Sequence, residues 1–177
     1  MKKGIIISGN LVQDHEFIYP YYRLLEEEVK LDVCLLEGKP VVGILGTAIP
    51  PNKEQVVKKI EEVKISDYDI LVLPGGVKAM EKVRQNRDII KFISDFDKEK
   101  KIIACICSGA QLLISAKVVK GRKIAGYYSM KDDLTNAGAE YTDLPAVIDD
   151  NIITTAHYKD MGPWLKAAIN AVNEKKK

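Results

Sequence analysis

The stretch Lys100–Ala116, KKIIACICSGAQLLISA, decides how this chain is read. The run KIIACI, Lys101 to Ile106, passes through Cys107-Ser108-Gly109 into a segment with amphipathic helical character. A short, continuous apolar run reads as a strand buried on both faces. Small residues at the junction suit a sharp strand-to-helix turn, because such a turn crowds its apex residue. Cys107 sits at that apex, with Cys105 two residues before it and Gly109 two after. The following helix would offer free N–H groups and a positive field, which favour a thiolate and are expected to lower the thiol pKa. Cysteine is also common in buried strands. Cys107 is therefore either a nucleophile or one more small apolar residue in a core.

The same alternation runs along the chain. Strands are expected at Gly4–Ser8, Leu31–Leu36 (with Cys34 inside it), in YDILVLPGG (Tyr68 to Gly76, ending in a Gly-Gly turn), at Ala146–Ile148 and at Ile152–Thr155. Helices are expected at Glu16–Glu28, with Phe17, Tyr21, Leu24 and Leu25 on one face, and at Asn52–Val63 behind an Asn N-cap. Further helices are expected near Asp88–Lys98, at Ser129–Asn136 (ended by Gly138) and at Trp164–Asn173. The Gly- and Pro-rich PVVGILGTAIPP, Pro40 to Pro51, reads as a hairpin or excursion. Apolar strands alternating with helices imply a parallel sheet covered on both sides. With no repeat, linker or low-complexity segment, residues 1–177 are expected to form one α/β domain.

In such sheets the functional groups gather at the carboxyl ends of the strands. Those ends are Asn10 to Glu16, Pro74-Gly75-Gly76, Cys107-Ser108-Gly109 and His157-Tyr158. Gly75-Gly76 can aim backbone N–H groups at an anion, or can be an ordinary tight turn. Glu16 lies four residues before Pro20, which cannot donate to the Glu16 carbonyl and is expected to distort the helix beside it. Two readings of Glu16 stay open: a carboxyl sharing a proton with a thiol, or a helix-start carboxylate stabilised by the dipole.

Bulk composition narrows the classes of function. With 46% apolar and 29% charged residues the 177-residue chain is ordinary globular material. Its net charge of +2 owes its excess to Lys175–Lys177, a run expected to favour the end of the last helix. No basic stripe or aromatic platform points to nucleic acid, and no segment is long enough to span a membrane. The N-terminal apolar run breaks at Ser8-Gly9-Asn10, too early for a signal-peptide core. Three cysteines without framework spacing suggest free thiols and a cytoplasmic location. No cysteine or histidine cluster completes a metal site around Cys105 and Cys107, and no phosphate loop is present.

The segments DHEFIYPYYRLLEE, DYDILVLPGG, ACICSGAQLLISA, KGRKIAGYYSMKDDLTNAGAEY and VIDDNIITTA together resemble the ThiJ/PfpI superfamily over about Ile5 to Trp164. That superfamily includes PfpI-type intracellular proteases, the parkinsonism-associated deglycase and glyoxalase III enzymes. The resemblance implies a flavodoxin-like three-layer α/β sandwich with a mostly parallel sheet, related to class I glutamine amidotransferase domains. It implies that Cys107 is the elbow nucleophile and that protonated Glu16 hydrogen-bonds its thiolate. It matches Gly75 and Gly76 to an oxyanion-side loop, with the N–H of Ser108 as second donor. It implies homodimers or larger homo-oligomers, in which Glu81 resembles a glutamate that reaches a neighbouring subunit's site, at a spacing one residue longer here.

Two departures matter. Protease and glyoxalase members carry histidine directly after the elbow cysteine, and this chain has Ser108, whose hydroxyl is no general base near neutral pH. Where many members carry Ser-Arg-x-Pro after the last strand, this chain reads TTAHYKD. His157 is thus a candidate for the missing imidazole, and His15, beside Glu16, is another. The expected activity is cofactor-independent and metal-free attack of Cys107 on a small reactive carbonyl such as methylglyoxal, giving a 2-hydroxy acid. The rivals are a peptidase or amidase acting on peptides, and a redox sensor or stress chaperone built on oxidation of Cys107.

Overall fold

The computed structural model describes residues 2–175. Lys176 and Lys177, part of the lysine run expected at the end of the last helix, lie outside the described residues. The elements are β1 (Lys3–Ser8), α1 (Asp14–Glu26), β2 (Lys30–Leu35), β3 (Val41–Val42), β4 (Ala48–Ile49), β5 (Val57–Lys58), β6 (Ile70–Leu73), α2 (Val77–Val83) and α3 (Arg87–Lys98). They continue with β7 (Ile102–Ile106), α4 (Ala110–Ser115), β8 (Lys123–Ile124), α5 (Lys131–Asn136), β9 (Glu140–Tyr141), β10 (Val147–Asp149), β11 (Ile152–Thr155) and α6 (Met161–Glu174).

Seven strands form one sheet in the order β10-β11-β7-β6-β1-β2-β5, parallel except for β10, which pairs antiparallel with β11. The expected mostly parallel sheet is therefore present. Its middle strands are apolar on both faces: Ile102 to Ile106 of β7 and Ile70 to Leu73 of β6 are all buried. Strands this apolar must be covered on both sides, since each Ile or Leu left in water would forfeit roughly 1.5–3 kcal/mol. Helices α1 and α6 pack together against the sheet, while α2, α3 and α4 form a second packed group. Ile89, Ile90, Ile93 and Phe96 of α3 turn inward as their spacing predicts. Trp164 of α6 is fully buried, and its indole N–H donates to the Ile153 carbonyl of β11 at 3.0 Å.

Three local expectations need correction. Asn52–Val63 is not a helix: Asn52 Oδ1 accepts the Glu54 N–H in a turn, and Val57 and Lys58 then pair with Val33 and Cys34 at the sheet edge. The Lys58 ammonium meets Asp32 at 2.8 Å there, so β-branched Val57 and this ion pair outweigh helical propensity. Leu25 leaves the buried face of α1 and stays exposed, while Phe17, Tyr21 and Leu24 are buried. Pro20 does not break α1, which runs from Asp14 to Glu26 without interruption.

Pro40 to Pro51 does form an antiparallel hairpin, β3–β4, which pairs only with itself. Its tip is fastened to the start of α1. The buried Asp14 carboxylate accepts the N–H groups of Leu45 at 2.8 Å and Thr47 at 3.0 Å, and the Ile44 N–H reaches the Val12 carbonyl. Burial raises the Asp14 pKa, but the Leu45 N–H, the Thr47 hydroxyl and N–H, and Asp14's own N–H together outweigh it and hold the carboxyl below its usual range. Gly43 passes so close that a Cβ would sit 2.2 Å from Asp14 Oδ1, which explains glycine there.

Candidate active site

Because β11, β7, β6 and β1 are adjacent and parallel, their carboxyl ends meet at one rim. A cavity of about 300 Å³ opens there, lined by residues that include Gln13, Glu16, Gly76, Cys107, Ser108 and His157. Thus Glu16, Gly76, Cys107, Ser108 and His157 are brought together as the strand-end reading requires.

Cys107 has φ of 60°, in the left-handed region that costs a residue with a Cβ roughly 1–2 kcal/mol. That strained turn is the elbow anticipated from the small flanking residues. Gly109 lies so near the Leu73 carbonyl that a Cβ would meet it at 2.7 Å, so the chain leaves the elbow tightly against β6. The Cys107 carbonyl accepts the N–H of Tyr127 at 3.1 Å, tying the elbow to the loop after β8. Cys107 is partly exposed, whereas Cys105 is buried in the strand, and burial pushes its thiol well above the usual range.

Glu16 is fully buried. Its Oε2 accepts the Gly75 N–H at 2.7 Å, its Oε1 is buried without a hydrogen-bond partner among the described residues, and the Cys107 side chain lies beside it across Gly75. Burial pushes the carboxyl up to about 7, against the opposing pull of Cys107 and the Gly75 N–H. Burial, and then the charge of Glu16, push the Cys107 thiol up to about 12, with the Ser108 N–H acting the other way. The expected lowering of the thiol pKa is therefore corrected. The cavity lining holds no lysine or arginine, α4 is short, and the nearest ionisable neighbour is an acid. Two adjacent buried anions are costly, so the pair holds at least one proton near neutral pH.

The two glycines divide their work. The Gly75 N–H is committed to Glu16, which corrects its reading as a free oxyanion donor. Gly76, with φ of 99°, needs glycine for its conformation, and its N–H has no hydrogen-bond partner among the described residues. Ser108 is buried, and its hydroxyl lies 4.0 Å from the Cys107 sulfur. His157 stands at the cavity wall, tilted by 40° against Tyr158 at 4.0 Å and stacked near-parallel to Tyr127 and Tyr128 at 6.2 Å each. It makes no hydrogen bond to Cys107. His15 is exposed, stacks on Tyr158 at 5.4 Å and lines a neighbouring apolar groove instead. Glu81 is exposed on α2 and borders a different surface cleft with Arg84 and Gln111, away from Cys107 within this chain.

Sequence reasoning missed Ile44, Val77 and Tyr127 in the lining, whereas Gln13 lies within the Asn10–Glu16 strand end. Ile44 arrives on the hairpin and Tyr127 through its backbone bond to the elbow, neither of which has a local sequence signal. Among the described residues no group of three or more His, Cys, Asp or Glu side chains is placed to hold a metal ion. No helix among them is long and apolar enough to cross a membrane.

Comparison with known proteins bears on the family and the fold. The model of the DJ-1/PfpI family matches residues 2–171. The chain is 37% identical over 164 residues to the "Deglycase PfpI" of Pyrococcus furiosus, covering 93% of this chain and 95% of that protein. It is 32% identical over 170 residues to the "Putative cysteine protease YraA" of Bacillus subtilis, covering 96% and 97%. Among solved structures it is similar to a two-domain protein of Anabaena variabilis containing DJ-1/ThiJ/PfpI-like and ferritin-like domains, with a TM-score of 0.90 and 28% identity. That match covers 98% of this chain and 48% of the larger one. On the family match over nearly its whole length, and on these relatives, the chain belongs to the DJ-1/PfpI family.

Proposed function

We propose that this chain is a cysteine-dependent deglycase-type enzyme acting on small reactive carbonyls and their adducts, with methylglyoxal converted to lactate. The observation that carries this reading is the buried Glu16 carboxyl, seated by Gly75 against the Cys107 thiol at the wall of a small cavity. A three-carbon carbonyl compound fits that volume. A carboxyl whose pKa burial has moved to about 7 is poised both to take and to give a proton near neutral pH. The relative named as a deglycase supports the same class.

The steps follow from the pair. Glu16 takes the thiol proton as the Cys107 sulfur bonds to the aldehyde carbon, and the carbonyl electron pair moves onto oxygen. Glu16 returns the proton to that oxygen, giving a hemithioacetal. Carried from the first carbon to the second by Glu16, a proton converts it through an enediol to a thioester. Water then cleaves the C–S bond, releases the 2-hydroxy acid and restores the thiol. The sum is addition of one water to the 2-oxoaldehyde, with no net oxidation and no cofactor. The developing oxyanion is assigned to the Gly76 N–H, which has no partner among the described residues and belongs to the cavity wall, with the Ser108 hydroxyl beside the sulfur.

The test is production of lactate from methylglyoxal, with release of free amine from a methylglyoxal-treated amino acid. Loss of both activities in Cys107→Ser is the expected outcome, and equal rates for parent and variant would sink the proposal. A peptidase reading is supported by the name of one relative. It is weakened by Ser108, which supplies no imidazole at the position where protease members carry one. For assembly, the exposed position of Glu81 suits a role toward a neighbouring subunit in a homo-oligomer.

A further inference from the structure

His157 is held by contacts that fix both its ring plane and its proton. The ring lies 4.0 Å from Tyr158 at 40°, and near-parallel to Tyr127 and Tyr128 at 27° and 16°. Its Nδ1 accepts the backbone N–H of Lys159 at 3.2 Å, which caps the short 3₁₀ turn at Tyr158–Asp160. An imidazole nitrogen that accepts a hydrogen bond carries no proton, so the neutral ring keeps its proton on Nε2. That Nε2–H has no partner among the described residues, and His157 is one of the residues that line the Cys107 cavity.

We infer that His157 serves the Cys107 site as a hydrogen-bond donor through Nε2–H, and not as the base that replaces the histidine missing at position 108. A base must offer a lone pair. The Nδ1 lone pair is turned to Lys159, so taking a proton there breaks the bond and strips the 3₁₀ turn of its cap. Nε2 already holds its hydrogen. What the ring can present to the cavity is a fixed N–H, and its use lies with the oxygen that gains charge when the sulfur adds to a carbonyl. The C–S bond forms, the C–O electron pair moves to oxygen, Nε2–H holds that oxygen, and the completing proton comes from Glu16. His157 and Gly76 then act as the two donors, and proton transfer stays with a single carboxyl.

This assignment rests on the carbonyl chemistry proposed above, and its test separates the two. Glutamine keeps an N–H donor at a similar reach, whereas phenylalanine keeps the ring stack and removes the donor. His157→Gln is expected to retain kcat for methylglyoxal within about 3-fold, and His157→Phe to lose roughly 10²-fold in kcat with less change in KM. Equal losses in both variants, or no loss in His157→Phe, overturn the donor role. Independently of any activity, long-range ¹H–¹⁵N correlation spectra of the unliganded parent should show His157 as the Nε2–H tautomer. A dominant Nδ1–H tautomer overturns the inference even if the enzyme turns over methylglyoxal, and Nε2–H supports it even if another carbonyl proves to be the substrate.

Discussion

The N–H of Gly75 donates to Glu16 Oε2 at 2.7 Å, and Gly75 is also the residue against which the Cys107 side chain lies. A Cβ added there would sit 2.4 Å from that oxygen and 2.8 Å from Cys107 Cβ. Glycine at 75 therefore sets the separation between acid and thiol. Gly75→Ala must push Glu16 and the elbow apart. It is expected to cost about 2 kcal/mol of stability, a Tm lower by about 4–8 °C, and at least roughly 10²-fold in kcat. Thermal melts and steady-state kinetics check both, and a variant with parental kcat refutes the role given to this contact.

Glu16 makes stability depend on pH in a definite direction. Its carboxyl pKa is raised by burial from 4.5 to about 7 in the folded chain. Between those values the folded chain holds a proton that the unfolded chain has lost, so stability falls as pH rises through the window. The full effect is roughly 3 kcal/mol. Glu16→Gln, which keeps an acceptor for Gly75, should flatten that limb and unfold at higher denaturant than the parent at pH 8. Urea unfolding at pH 5 and pH 8 measures it, and parallel behaviour of the two proteins contradicts the raised pKa.

The left-handed backbone at Cys107 gives a comparison that isolates strain from chemistry. Cys107→Ala and Cys107→Gly both remove the thiol, but only glycine adopts φ near 60° without steric cost. The glycine variant is expected to be the more stable of the two by about 1 kcal/mol, or about 2–4 °C in Tm. Everywhere else in a strand or helix the order would be reversed.

Asp14 anchors the hairpin that brings Ile44 to the cavity. Asp14→Ala removes the acceptor of two backbone N–H groups and is expected to destabilise the chain by about 2 kcal/mol. Amide hydrogen exchange should accelerate at Leu45 and Thr47 while β6 and β7 keep their protection. KM for a carbonyl substrate should rise more than kcat falls. Uniform acceleration across the sheet would show that Asp14 supports global folding only.

The sheet was legible because its strands carry unbroken apolar runs, and the elbow because small residues bracket Cys107 between a strand and a helix. Side-chain spacing settled α3 for the same reason. Helix α2 left no comparable signal: seven residues behind Gly76, without a side-chain cap, present too little periodicity. The segment 52–63 misled because its charged residues suit a helix, while the ion pair to Asp32 that holds it at the sheet edge involves a residue on a distant strand. Cys107 and Glu16 were placed by turn logic and family likeness. The direction of the thiol pKa was not, because it depends on depth below the surface and on which charge lies beside the sulfur. The commitment of the Gly75 N–H and the proton on His157 likewise arise from contacts that have no counterpart in local sequence.

Trp164 is the chain's one tryptophan, and its indole N–H is bonded to Ile153 in the strand that leads to His157. With excitation at the red edge of its absorption, where the chain's tyrosines absorb little, its fluorescence reports on a single place. A blue-shifted spectrum in the native state and its red shift on opening would follow the β11–α6 contact alone. The molecule thus carries its own optical probe on the strand that supports one wall of the cavity, so loosening of that strand can be watched without attaching a dye.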